Sequence, residues 1–138
     1  MVETLELPRE ISSLSALFAF LEERCIQQEV DDKTVFALNL AAEELFTNLV
    51  RHNVGGKEDI RIELRITPER IELRMIDFDV KKFDPETVND VDIHRPAEER
   101  EPGGLGIHLV KSIVDQLTYA YEAGDMTVTV IKNRRGHV

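Results

Sequence analysis

Two short groups of residues in this chain have types and spacings suited to chemistry on a phosphate. Glu44 and Asn48 stand four apart in a stretch patterned as a helix, so they point to one side of it, and His52 continues roughly along the same line. A carboxylate in that position suits a proton acceptor toward a hydroxyl or water attacking phosphorus, the role assigned to Glu44. An amide oxygen suits Mg²⁺, which takes one or two protein ligands beside phosphates and water, the role assigned to Asn48. The second group is Gly103-Gly104-Leu105-Gly106, read as a glycine turn that opens another helix. Such a turn presents free N–H groups and the positive end of a helix dipole to an anion, of which phosphate is the natural candidate. Each group also has an ordinary reading, as the solvent edge of a helix (with Glu43 an alternative solvent-facing member) and as plain loop glycines. The glycines match neither the P-loop, which ends in Gly-Lys-Ser/Thr, nor a Rossmann turn following a strand.

Asp77 closes a strand-like stretch, where its carboxylate suits acceptance of a hydrogen bond from an adenine amino group, or else serves as a turn aspartate. Arg51, Arg95, Arg100 and Lys111 read mostly as solvated charges, with Arg100, in the loop, also able to reach a phosphate. His94, His108 and His137 have no metal spacing with one another or with Cys25. Cys25 falls on an apolar helical stripe and is expected in the core. The formal net charge of −10 argues against nucleic acid as a partner, and the short basic stretch Lys132, Arg134, Arg135 reads as a solvated tail. No apolar stretch approaches the roughly 20 residues of a membrane span, and no signal sequence is evident, so a cytoplasmic protein without a membrane partner is expected.

The elements that must position these residues follow from hydrophobic period. At 138 residues the chain suits one domain spanning 1–138. Glu3 to Leu7 alternate as a strand. Ile11, Leu14, Leu17, Phe18, Leu21 and Cys25 recur at helical spacing to about Gln28. Asp31 or Asp32 is placed to cap the next helix, whose apolar positions from Val35 to Val50 cover most of its circumference before Asn53-Val54-Gly55-Gly56 ends it. Ile60 to Ile66 and Ile71 to Met75 alternate about Pro68-Glu69 as a hairpin with one wet face. A polar, proline-bearing stretch from Asp84 leads through Pro102 to the glycines. A helix through Leu117 and two strands, Leu117 to Tyr121 and Thr127 to Ile131 about Gly124-Asp125, complete the chain. The sum predicts an α+β fold, a two-layer α/β sandwich whose mostly antiparallel mixed sheet is covered by helices on one face.

In this order, Glu44-Leu-Phe-Thr-Asn48, Asp77 and Gly103-Gly104-Leu105-Gly106-Ile107 resemble the N, G1 and G2 boxes of the GHKL (Bergerat-fold) ATPases. Among these the chain looks most similar to the anti-sigma-factor serine/threonine kinases, which are histidine-kinase-like ATPases. Phe83-Asp84-Pro85 and Glu98-Glu99-Arg100-Glu101-Pro102 extend the likeness. The resemblance implies ATP with Mg²⁺, Glu44 as general base, Asn48 as metal ligand, and Asp77 as adenine reader. Asn48, His52, Asp77, Arg100, Gly103, Gly104, Leu105, Gly106 and Ile107 would line the nucleotide, under an ATP lid over about 84–104. It further implies a homodimer that holds a sigma factor and phosphorylates a small STAS-type anti-anti-sigma protein. Where the family has glycine two places after the aspartate, Asp79 stands here, adding bulk and charge beside the nucleotide or acting as a displaced adenine reader. Two alternatives stay open: a partner-binding module with weak or lost nucleotide binding, and a detached histidine-kinase-type ATPase domain.

Overall fold

The computed structural model describes residues 2–52, 57–78 and 102–134. The elements run β1 (Val2–Leu7), a 3-10 turn (Ile11–Ser13), α1 (Leu14–Gln27), α2 (Asp32–His52), β2 (Ile60–Ile66), β3 (Arg70–Asp77), α3 (Pro102–Ile113), β4 (Gln116–Glu122) and β5 (Asp125–Asn133). The sheet order is β1-β2-β3-β5-β4. Every described pairing is antiparallel, so the expected sheet forms without a parallel pair among these residues.

Alternation decides which face of the sheet is covered. Ile60, Ile62 and Leu64 of β2, Ile71, Leu73 and Met75 of β3, and Met126, Val128 and Val130 of β5 are buried on one face. The register places Ile62 opposite Met75 and Leu73 opposite Val130, so these side chains form continuous rows. Against them pack Leu17, Phe20, Leu21 and Cys25 of α1, Leu38, Ala41, Ala42, Leu45, Phe46 and Leu49 of α2, and Val110 of α3. Fully burying one such leucine or isoleucine stabilises by about 1.5–3 kcal/mol relative to leaving it exposed. The opposite face carries Arg61, Glu63, Arg65, Glu72 and Arg74, with Glu63 paired to Arg74 at 3.4 Å and Arg61 donating to Glu6. That is the wet face the hairpin pattern predicts.

Local chemistry sets the helix ends. Asp31, not Asp32, caps α2: its carboxylate accepts from the Thr34 hydroxyl and backbone N–H, and these bonds hold its pKa below the usual value. Phe36 is the exception to the apolar circumference expected of α2, being 68% exposed. The β4–β5 turn takes positive φ at Ala123 (51°) and Gly124 (87°), one residue earlier than the Gly124-Asp125 turn expected.

Arg134 corrects the reading of the basic C-terminal stretch. Its Nη1 donates to the Thr67 carbonyl at 2.9 Å and its Nη2 to the Gln28 and Glu29 carbonyls at 2.8 and 3.3 Å. A cation at carbonyls left over at a helix C-terminus is favoured by both hydrogen bonding and the helix dipole. Arg134 therefore ties the end of β5 to the end of α1 and to the β2–β3 turn. Arg135 and His137 lie outside the described residues.

Candidate functional site

α2 carries one border of the site. Its core-facing positions run through Leu38, Ala41, Leu45 and Leu49, and Glu44 and Asn48 flank that stripe, both half-buried. Glu43 and His52 are exposed, so Glu44 and Asn48 are the polar members of the row that the fold turns inward.

α3 packs against that border. It begins at Pro102, so the glycines form the first turns of the helix and do not precede it as a separate turn. Proline is preorganised for a first helical position, and this shifts the boundary relative to the glycine-based expectation. The N–H groups of residues 103–105 have no helical carbonyl four residues back among the described residues. Gly106 faces the Glu44 side chain of α2. A Cβ built on it would overlap the Glu44 carboxylate, so only glycine leaves Glu44 the position it holds. Ile107, next along, is half-buried and packs on the core.

Asp77 ends β3 on the covered face, where it is 1% exposed. Arg9, in the connector after β1, grips its carboxylate as a fork: Nη1 donates to Oδ2 at 3.1 Å and Nη2 to Oδ1. The same Nη1 donates to the Leu49 carbonyl of α2 at 3.2 Å. The Asp77 corner therefore abuts α2 one residue beyond Asn48. Residues 44–49 of α2 thus touch both the glycine-bearing helix and the Asp77 corner. Arg9 had no signal of its own in the sequence, since a single arginine after Pro8 reads as a solvated charge.

Gly106 thus meets Glu44, and Asp77 is joined through Arg9 to α2 at Leu49, next to Asn48. His52 and His108 are exposed, and nothing among the described residues ties them to Glu44, Asn48 or Asp77. Asp79, His94, Arg95 and Arg100 lie outside the described residues, as do the Asn53–Gly56 turn and positions 84–101 of the expected lid, while 102–104 belong to α3. An open polar depression of about 460 Å³ lined by Glu6, Lys57, Glu58, Asp59, Arg61 and Phe78 contains none of the site residues. Arg61 stacks there over the Phe78 ring at 5.0 Å.

The described site holds a carboxylate beside a glycine-bearing helix, an amide one turn further along α2, and a buried aspartate at a strand end. The family model for the histidine kinase-like ATPase domain matches residues 7–132. The chain belongs to that family. Among curated relatives, the serine-protein kinase RsbW of Listeria monocytogenes is 33% identical over 93 residues, covering 63% of this chain and 59% of that protein. This chain thus spans well under two thirds of the length of that relative. The serine/threonine-protein kinase BtrW of Bordetella bronchiseptica is 26% identical over 124 residues, covering 88% of this chain and 87% of its own. Among solved structures, a chain of the SiaB–SiaC complex from Pseudomonas aeruginosa superposes with a TM-score of 0.62 over 94% of this chain and 88% of that one. At 9% identity this is a likeness of fold. No helix among the described residues is long and apolar enough to cross a membrane.

Proposed function

We propose that this histidine kinase-like ATPase domain binds Mg-ATP and transfers its γ-phosphoryl group to a serine or threonine of a STAS-type anti-anti-sigma protein, while also sequestering a sigma factor as a homodimer. The contact between Glu44 and Gly106 carries the reading. It sets the one half-buried carboxylate of the α2 row against the helix whose first-turn N–H groups suit phosphate oxygens. The names of the Listeria and Bordetella relatives support the reaction class, and the resemblance to anti-sigma kinases supports the partners.

The residues present fit such a ligand. Bound Mg-ATP would supply the phosphoryl group and the leaving ADP. Asn48 would hold the metal through its amide oxygen, a hard ligand of the kind Mg²⁺ takes. The N–H groups of the α3 first turn would hold phosphate oxygens, and Asp77 would accept from the base. Glu44 would take the proton of the attacking hydroxyl at its carboxylate.

Calorimetry with millimolar Mg-ATP and transfer of labelled phosphate to the partner test this together. Glu44→Ala is expected to bind Mg-ATP like the wild type and to lose transfer by at least about a hundredfold. Asn48→Ala is expected to weaken binding only where Mg²⁺ is present. Undiminished transfer by Glu44→Ala would show that another group is the base. Absence of nucleotide binding would leave the second reading, a partner-binding module, and the grip of Arg9 on Asp77 is the observation that favours it.

A further inference from the structure

We propose that Arg9 is an intrachain occupant of the base end of this site, so that a purine ring reaches Asp77 only after the guanidinium has left. The inference rests on the reading of Asp77 as the base-accepting carboxylate. Both Asp77 oxygens face the Arg9 fork, and the two side chains are only 7% and 2% exposed. Nothing therefore approaches the carboxylate along that side while the pair is closed. A second bond, from Nη1 to the Leu49 carbonyl, pins the guanidinium against α2 beside Asn48, at the border between the two ends of the site.

The closed state is incompletely satisfied. Arg9 Nε is buried with no hydrogen-bond partner among the described residues. A donor left unpaired favours departure of the side chain to water, where that bond is made. Against departure stands the charge-assisted fork, the stronger kind of hydrogen bond, which a neutral amino group of a base replaces only in part. The exchange therefore costs affinity: the apparent dissociation constant is the intrinsic one divided by the fraction of molecules with Arg9 out. In the wild type the base adds little to binding, and the phosphates supply most of it.

Titration calorimetry of the full chain with Mg-ATP and with Mg-tripolyphosphate, which has no base, tests this. Wild type, Arg9→Lys and Arg9→Gln are compared after thermal melting has verified their folds. Arg9→Gln leaves Asp77 buried without its cation and can fail to fold. Arg9→Lys keeps the charge on a single point of contact and guards against that outcome. The expected result is that Mg-ATP and Mg-tripolyphosphate bind the wild type within a few-fold of each other. In Arg9→Lys, Mg-ATP tightens by about tenfold, as release of an occupant present in nine molecules of ten would give, and tripolyphosphate is unchanged. An ATP-to-tripolyphosphate affinity ratio that is the same in wild type and Arg9→Lys overturns the role of Arg9 and leaves the nucleotide reading standing. Weaker ATP binding in Arg9→Lys overturns it too, because Arg9 would then be supporting the base. Binding of neither ligand to any of the folded proteins removes the nucleotide reading and the role of Arg9 with it.

Discussion

A methyl group at position 106 has no room while Glu44 keeps its carboxylate in place, yet the obstacle is the far end of a flexible side chain. Gly106→Ala should therefore turn Glu44 aside and leave the fold intact, since alanine gains about 1 kcal/mol of helix propensity over glycine to set against the repacking. The expected outcome is a thermal-melt stability within about 1 kcal/mol of wild type and transfer to the partner protein reduced by at least tenfold. Wild-type transfer in Gly106→Ala would show that the carboxylate does not need that position. At this scale the sequence made Glu44, Asn48 and the glycines legible through spacing, because a helix repeats in register with its own residues. It left Arg9 and Arg134 illegible, because each acquires its partners from elements far along the chain: Asp77 for Arg9, and Thr67, Gln28 and Glu29 for Arg134.

Among the elements, α1 depends on an anchor that lies outside its own sequence. Its C-terminal carbonyls at Gln28 and Glu29 are held by Arg134, and Glu29 takes a positive φ of 54° as the chain leaves the helix. Arg134→Ala should destabilise the chain by about 1–3 kcal/mol, the range for loss of hydrogen bonds from a charged donor. The measurement is chemical denaturation, with hydrogen exchange expected to speed up in the last turn of α1. An unchanged midpoint would show that water replaces the guanidinium without cost. The hairpins and α2 were readable almost to the residue, because alternation with period two and a continuous apolar helix face are strong local signals. The start of α3 was not, because glycine signals a turn and Pro102 signals a helix start, and here the proline decides. The displaced β4–β5 turn has a similar cause: Ala123 adopts a left-handed conformation that its side chain does not advertise.

For the molecule as a whole, Cys25 makes stability depend on alkaline pH. Burial pushes its thiol from 9.0 up to about 11, and the nearby positive charge of Arg134 only partly opposes this. The folded state holds its proton more tightly than the unfolded chain does. The contribution of the neutral thiol is therefore intact below pH 9 and is lost as pH rises from 9 to about 11. Two units correspond to about 2–3 kcal/mol. Denaturation at pH 8 and at pH 11 should show the stability advantage of wild type over Cys25→Ala shrinking by roughly that amount, and an advantage that stays constant would rule the thiol out as the cause. The architecture was legible at this scale because one face of every central strand is apolar, but the strand order was not, since alternation marks a strand without naming its neighbour. That order has a kinetic consequence. The central β3·β5 pairing joins Asp77 to Met126, about fifty residues apart, so closing it carries a loop-entropy cost that the tight β2–β3 and β4–β5 turns escape. The two hairpins can form early and wait for each other, and stopped-flow refolding should be slowest at the long-range pairings, β3 onto β5 and β1, whose Leu7 meets Ile60, onto β2. Refolding rate, more than final stability, is then the property governed by the length of chain between those strands.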